Sequence, residues 1–281
     1  MTSEKAFNKV GYTAVWTAYL RSFSDIPFAK KLYHELSQIE YGKESVGLQR
    51  PTMAPQYEAR YKILTKLLLD SKINQVIELA AGFTGRGLAL ASELPITYVE
   101  LEVPAVVAEK QKILKRLRVR DTIERLKLVA GNVLSMNDLN RAVAHFDSSK
   151  PIAVLNEGLM RYLTFPEKAM LATNIHELLG RHGGVWITPD ISLASLLNKE
   201  DKAVAGHTER LTKITGKDVR GNLFDSVEHA QSFSEKLGFS VERHSLLEAV
   251  DELVSPQHLG ISADNVIDML APATVFVMRV L

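Results

Sequence analysis

Between residues 72 and 190 short apolar runs alternate with segments of helical period, and that alternation constrains the fold more than any other feature of the chain. The runs are 75–79 (QVIEL), 96–101 (ITYVEL), 126–130 (LKLVA), 152–155 (IAVL) and 185–188 (VWIT). Each is rich in Val, Ile or Leu and too short for a helix, so each reads as a buried strand. The segments between them have helical ends. Pro104 sits where a first-turn proline forfeits no hydrogen bond. Beyond it Val106, Val107, Ile113, Leu114 and Leu117 make one apolar face. Thr164 and Glu167 form a Thr-x-x-Glu capping box around Pro166; Leu171, Ile175 and Leu178 are the buried stripe, and Gly180 suits the stop. A later helix is capped by Asp225 and Glu228, buries Ala230, Phe233 and Leu237, and ends at Gly238. Runs 239–243 and 274–280 (TVFVMRV) read as two final strands. Parallel strands need crossover connections, so the alternation predicts a mostly parallel α/β sheet with helices on both faces. The last two strands lack the regular intervening helix, which suggests a late antiparallel strand.

The rest of the chain fits around that core. Residues 1–71 read as a mostly helical N-terminal cover, 72–189 as the ligand-binding half of the sheet, 190–224 as a lid insertion with Gly206, Gly216 and Gly221, and 225–281 as the remainder of the same single domain. Composition then excludes whole classes of function. With 34 basic against 33 acidic residues the net charge is +1, without the basic excess of a dedicated nucleic-acid binder. The absence of cysteine excludes a disulfide scaffold, thiolate catalysis and a cysteine zinc site, and fits a reducing cytoplasm. The start, MTSEKAFNKVGY, has no apolar signal core, and no apolar run approaches the ~18 residues that cross a bilayer, so no membrane association is expected.

The first strand runs into a small-residue turn, Glu78-Leu79-Ala80-Ala81-Gly82-Phe83-Thr84-Gly85-Arg86-Gly87, and then a helix. Such a turn lets a ligand approach the backbone beyond the carboxyl ends of the strands. Its spacing is neither the G-x-G-x-x-G of dinucleotide folds nor the G-x-x-x-x-G-K-[ST] phosphate loop. The second strand ends in Glu100 and Glu102, eighteen and twenty residues past Gly82. A carboxylate there can accept both hydroxyls of an adenosine ribose. A solvated strand end would account for either acid alone; the glycine turn favours the ligand reading.

Three stretches in order, VIELAAGFTGRG, YVELEVPAVVAEKQKIL and PIAVLNEGLMRYL, resemble motifs of the leucine carboxyl methyltransferase-like family, including its polyketide O-methyltransferase-like bacterial members. The family patterns are approximately ELGaGxDxR, Y-x-E-x-D-x-P-x(n)-K and EGxxxYL, and the match covers about residues 55–190. The resemblance implies the class I methyltransferase fold, a Rossmann-like seven-stranded sheet, with S-adenosylmethionine as cofactor and a small-molecule methyl acceptor. It also implies roles. Arg60 falls where an arginine pairs with the methionine carboxylate, with Arg21 a second candidate. Gly82 is the turn glycine, and Glu78 and Ala80 line the methionine side. Glu102 stands in for the ribose-binding Asp, with Glu100 able to take part. Asn132, followed by Val133 at the cofactor wall, takes the place of an Asp near the adenine amine. Glu157 is the acid after the fourth strand. The departures are Glu102 and Asn132 for Asp, Thr84 for the Asp after the turn glycine, Arg161 where relatives are apolar, and Ala80 and Ala81, which replace glycine only where φ stays negative.

On the acceptor side Tyr162, Arg161 and His207 are the candidates, with Tyr162 the catalytic one. A carboxylate acceptor needs no base at neutral pH, because its pKa is ~4. The reading is therefore an S-adenosylmethionine-dependent O-methyltransferase. A nicotinamide oxidoreductase on a related sheet is disfavoured by the missing fingerprint, and a non-catalytic cofactor-binding module stays open. No metal motif is apparent, and the basic run 112–120 reads as a helix C-terminus whose cations suit its dipole.

Overall fold

The computed structural model describes residues 13–39, 51–119, 124–196 and 220–281. Its strands are β1 (Gln75–Leu79), β2 (Thr97–Glu102), β3 (Leu126–Ala130), β4 (Ile152–Asn156), β5 (Gly184–Thr188), β6 (Phe239–Ser245) and β7 (Thr274–Val280). They form one sheet in the order β3-β2-β1-β4-β5-β7-β6. The pairs among β1 to β5 are parallel, whereas β7 runs antiparallel to both β5 and β6. The helices are α1 (13–21), α2 (Ala29–Ser37), α3 (Ala54–Asp70), α4 (Arg86–Glu93), α5 (Pro104–Arg116), α6 (Met136–Val143), α7 (Phe165–His182), α8 (Val227–Lys236), α9 (Ser255–Leu259) and α10 (Ala263–Leu270).

Side-chain alternation divides the sheet into two apolar faces. Ile77, Leu79, Val99, Leu101 and Val154 pack against Leu139 of α6 and Leu171, Ile175 and Leu178 of α7. Their neighbours Val76, Tyr98, Ala153 and Leu155 pack against Ile63, Leu64 and Leu68 of α3, Leu90 of α4 and Leu270 of α10. Burial on both faces is why these strands read as unbroken apolar runs. From β1 the chain proceeds through β2 and β3 on one side, then returns to β4 and β5 on the other. This reversal between β1 and β4 opens a crevice at the carboxyl ends of the strands.

Helix ends follow local chemistry. Pro104 opens α5, and Thr164 and Glu167 make the reciprocal capping box of α7. Two ends differ from the sequence reading. Helix α7 runs through Gly180 and stops at Gly183, whose φ of 71° is the left-handed conformation glycine tolerates. Helix α8 is capped by Ser226 rather than Asp225; the Ser226 hydroxyl accepts from the His229 amide, while the Asp225 carboxylate lies 3.0 Å from His229 Nδ1. A hydroxyl one residue nearer the helix reaches the free amide with less distortion.

The described ends of the 190–224 segment join each other. Leu193 bridges to Phe224, and the Phe224 amide donates to Ser192 O at 2.9 Å. Residues 197–219, with His207, lie outside the described residues, as do residues 1–12 and the end of the basic run at Arg120. No helix among the described residues is long and apolar enough to cross a membrane.

Candidate active site

A cavity of about 560 Å³ occupies the crevice over the strand ends. Its floor is the turn after β1. Gly82 has φ 55°, and a Cβ built there would meet nothing within 4 Å, so open space lies directly over the turn. Ala80 has φ 53°. The negative φ expected for an alanine at this position is therefore not what the fold adopts. The turn needs a left-handed residue, and the alanine accepts it at ~1–2 kcal/mol of backbone strain.

Glu102, the last residue of β2, reaches across to this turn. Its Oε2 accepts from the Gly82 amide at 2.9 Å and its Oε1 from the Val103 amide at 2.7 Å. Each oxygen keeps a further lone pair, and the side chain lines the cavity. Burial pushes its pKa up, opposed by the two amide bonds. Glu100 does not join it. It is buried one rung lower, ion-paired to Lys110 of α5, and forms no part of the cavity wall. Lys110 in turn donates to Gly82 O at 3.0 Å and Thr84 O at 2.9 Å. The pair thus fastens the turn from beneath, and burial, outweighing Lys110, pushes the Glu100 pKa up to about 7.

The opposite wall is a charge cluster that chain order does not announce. Glu157 lies between three arginines brought from three helices. Arg21 of α1 pairs with Oε1 at 2.8 Å, Arg86 of α4 with Oε2 at 2.9 Å, and Arg60 of α3 approaches Oε1 at 3.5 Å. The three guanidiniums overcome burial and hold its carboxyl down to about 2. Arg86 also pairs with Glu78, which accepts from the Tyr98 hydroxyl at 2.7 Å, and it stacks on Tyr61 at 4.6 Å. Burial in this company is tolerable because each charge of the cluster faces an opposite charge.

Asp190, just past β5, was not among the residues read as functional. Its Oδ2 accepts from Asn156 Nδ2 at 2.8 Å and the Leu159 and Met160 amides at 2.7 and 3.1 Å. Its Oδ1 accepts from the Gly158 amide at 2.6 Å and from Arg60 at 3.2 Å. One carboxylate therefore shapes the loop that presents Glu157. Arg86 was missed as well, although it occupies the last position of the first motif; an arginine at the start of a helix gave no sign that it would be buried. For Asp190 the only signal was an acid at a strand end.

The remaining candidates are placed as follows. Arg60, Glu78, Ala80, Gly82, Glu102, Asn132, Val133, Glu157 and Tyr162 all line the cavity. Asn132 is exposed at the β3 end; its Oδ1 accepts from the Leu134 amide at 3.0 Å, and its own amide donates to Asp138. Tyr162 hydrogen-bonds Thr13, and burial pushes its phenol up. Thr84 is buried, its hydroxyl accepting from the Arg86 amide at 3.2 Å in the turn that leads into α4, and it does not line the cavity. Among the described residues no three His, Asp or Glu side chains cluster as a metal site.

The chain resembles known proteins at two levels. It is 30% identical over 197 residues to a protein of Mycolicibacterium paratuberculosis named as an S-adenosyl-L-methionine-dependent methyltransferase, covering 69% of this chain and 61% of that one. The chain thus spans about three fifths of that relative's length. Among solved structures, the geranyl diphosphate C-methyltransferase of Streptomyces coelicolor, determined with S-adenosyl-L-homocysteine, superposes with a TM-score of 0.51 at 11% identity, covering 86% of each chain. A Nostoc punctiforme protein named as an O-methyltransferase gives 0.51 at 14%, covering 97% of this chain and 69% of that one. At such identities the structural likeness is one of fold, which is the Rossmann-like sheet of class I methyltransferases. Residues 17–176 match the leucine carboxyl methyltransferase family, and that stretch is more than half of the chain: the protein belongs to that family.

Proposed function

We propose that the protein is an S-adenosylmethionine-dependent O-methyltransferase acting on a small-molecule carboxylate or hydroxyl. The observation that carries this reading is one cavity holding three things: an open glycine turn, a strand-end carboxylate beside it, and an arginine cluster opposite. The residues fit the cofactor. The space over Gly82 admits a ligand against the backbone, and Glu102 keeps lone pairs for a ribose diol. The Nε atoms of Arg21 and Arg60 are buried without a hydrogen-bond acceptor, which suits them to an incoming carboxylate.

Bound there, the cofactor would supply an activated methyl group and its own leaving group. The protein's part is alignment, worth up to ~7–11 kcal/mol of the barrier. Gly82 and Glu102 would hold the adenosine portion, with Asn132 and Val133 at the base. Arg60 and Arg21, kept in place by Glu157 and Asp190, would hold the amino-acid portion. Tyr162, still protonated at neutral pH, can donate a hydrogen bond to the acceptor. A carboxylate acceptor would need no base.

Isothermal titration with S-adenosylmethionine and S-adenosylhomocysteine tests the reading. Binding tighter than millimolar is expected, and its absence for both ligands would sink it. Transfer of a labelled methyl group to a base-labile product would separate a carboxylate acceptor from a hydroxyl.

A further inference from the structure

Among the described residues, Arg161 is a cation of this cavity with no anionic partner. Arg21 and Arg60 are answered by Glu157 and Asp190. Arg161 lines the same cavity, yet it ion-pairs with no described residue, and its Nε is buried with no hydrogen-bond acceptor. Its position is held from behind, since its carbonyl accepts from Asn222 Nδ2 at 3.4 Å. Its charge is felt by Tyr57 and Tyr162; burial pushes both phenols up, so both are hydrogen-bond donors at neutral pH.

Place in the sheet separates Arg161 from the adenosine end of the cavity. Asn132 and Val133 follow β3, whereas Arg161 lies in the Met160–Tyr162 turn after β4. Three strand spacings lie between β3 and β4, which is roughly 14 Å. Tyr57 and Tyr162, close enough to feel the Arg161 charge, line the same cavity, as do Leu163, Pro189 and Ser192, a mixed surface suited to an organic body with one polar end. A guanidinium fork beside two hydroxyl donors is matched by a carboxylate, which takes two parallel N–H bonds.

We propose that Arg161 is a specificity-determining residue that binds a carboxylate on the methyl acceptor, with Tyr57 and Tyr162 as flanking donors. This rests on reading the cavity as a methyltransferase site, and it makes the acceptor an organic acid rather than a neutral alcohol or phenol.

The test uses the full chain saturated with S-adenosylhomocysteine. Benzoate, salicylate and hexanoate are titrated against their neutral amides by calorimetry, in wild type, Arg161→Gln and Arg161→Lys. The expected result is at least a tenfold preference of wild type for one or more carboxylates over the matching amide. Arg161→Gln should abolish that preference, Arg161→Lys should keep part of it, and S-adenosylhomocysteine affinity should stay within twofold in both. Wild type that shows no carboxylate preference overturns the proposal, as does Arg161→Gln that retains one. Wild type that fails to bind S-adenosylhomocysteine defeats the methyltransferase reading itself, which is a different outcome from binding it without anion preference.

Discussion

Replacing Glu157 by glutamine removes one negative charge from among three guanidiniums and leaves the side-chain volume almost unchanged. In the folded protein the Glu157 carboxyl is held down to about 2 by Arg21, Arg60 and Arg86, and its side chain is 3% exposed, so solvent screens it little. An unfolded glutamate titrates near 4.3, so the lowered value is worth about 3 kcal/mol at neutral pH. The sign follows from the direction of the shift. A carboxylate whose folded pKa is depressed stabilises the fold above its unfolded pKa and loses that contribution as pH falls towards the folded one. The contribution should be fully present at pH 7 and reduced to about 1 kcal/mol by pH 3. Breaking a buried pair by removing one partner is independently expected to cost ~3–5 kcal/mol, which agrees. Glu157→Gln should therefore lower stability by about 3 kcal/mol at pH 7, or roughly 5–10 °C in Tm for a chain of this size. Urea titrations of both proteins at pH 7 and pH 3 measure the difference. A loss under ~1 kcal/mol at pH 7, or a difference that is the same at both pH values, would refute the electrostatic account of this cluster.

Three further outcomes follow from other parts of the site. Glu102→Ala should weaken S-adenosylhomocysteine at least tenfold, about 1.4 kcal/mol, by calorimetry; unchanged affinity would remove Glu102 from the ribose contact. Ala80→Gly relieves a left-handed alanine and should stabilise the protein by about 0.5–1 kcal/mol in denaturant titration, the strain released less the chain entropy glycine adds; a destabilised variant would contradict it. Glu100, buried with its pKa raised to about 7, stabilises the fold below its unfolded pKa and loses that contribution as pH rises through 7. Glu100→Gln should therefore gain on wild type by about 3 kcal/mol between pH 4 and pH 8, and parallel pH–stability curves would reject the raised pKa.

The two acids at the end of β2 show how far sequence reasoning reaches. Glu100 and Glu102 have the same residue type and lie on the same side of one strand, so composition and period give them equal standing as ribose ligands. The structure separates them by level. Glu102 stands beyond the last sheet pairing of β1, where the Gly82 amide turns towards it, and Glu100 lies one rung deeper, where α5 delivers Lys110. Helix ends tell a similar story at smaller scale: the α7 capping box is a matter of four consecutive residues and was legible, whereas the stop depended on where the helix met the start of β5.

By itself the sequence determined what is local or periodic: seven strands from apolar runs, the crossover helices between them, a small-residue turn after the first strand, an acid at the end of the second. Each follows from side chains within one strand or a few helical turns, where backbone geometry fixes which residues share a face. Only the tertiary structure decided which charges meet. Arg21, Arg60 and Arg86 come from three helices and converge on Glu157, which follows a fourth element. Asp190 reaches back from the end of β5 to shape the same loop, and Arg161 lines the cavity with no acid paired to it among the described residues. Those encounters depend on how the helices pack across the sheet, and no spacing along the chain encodes the distance between two side chains that meet only when the layers close.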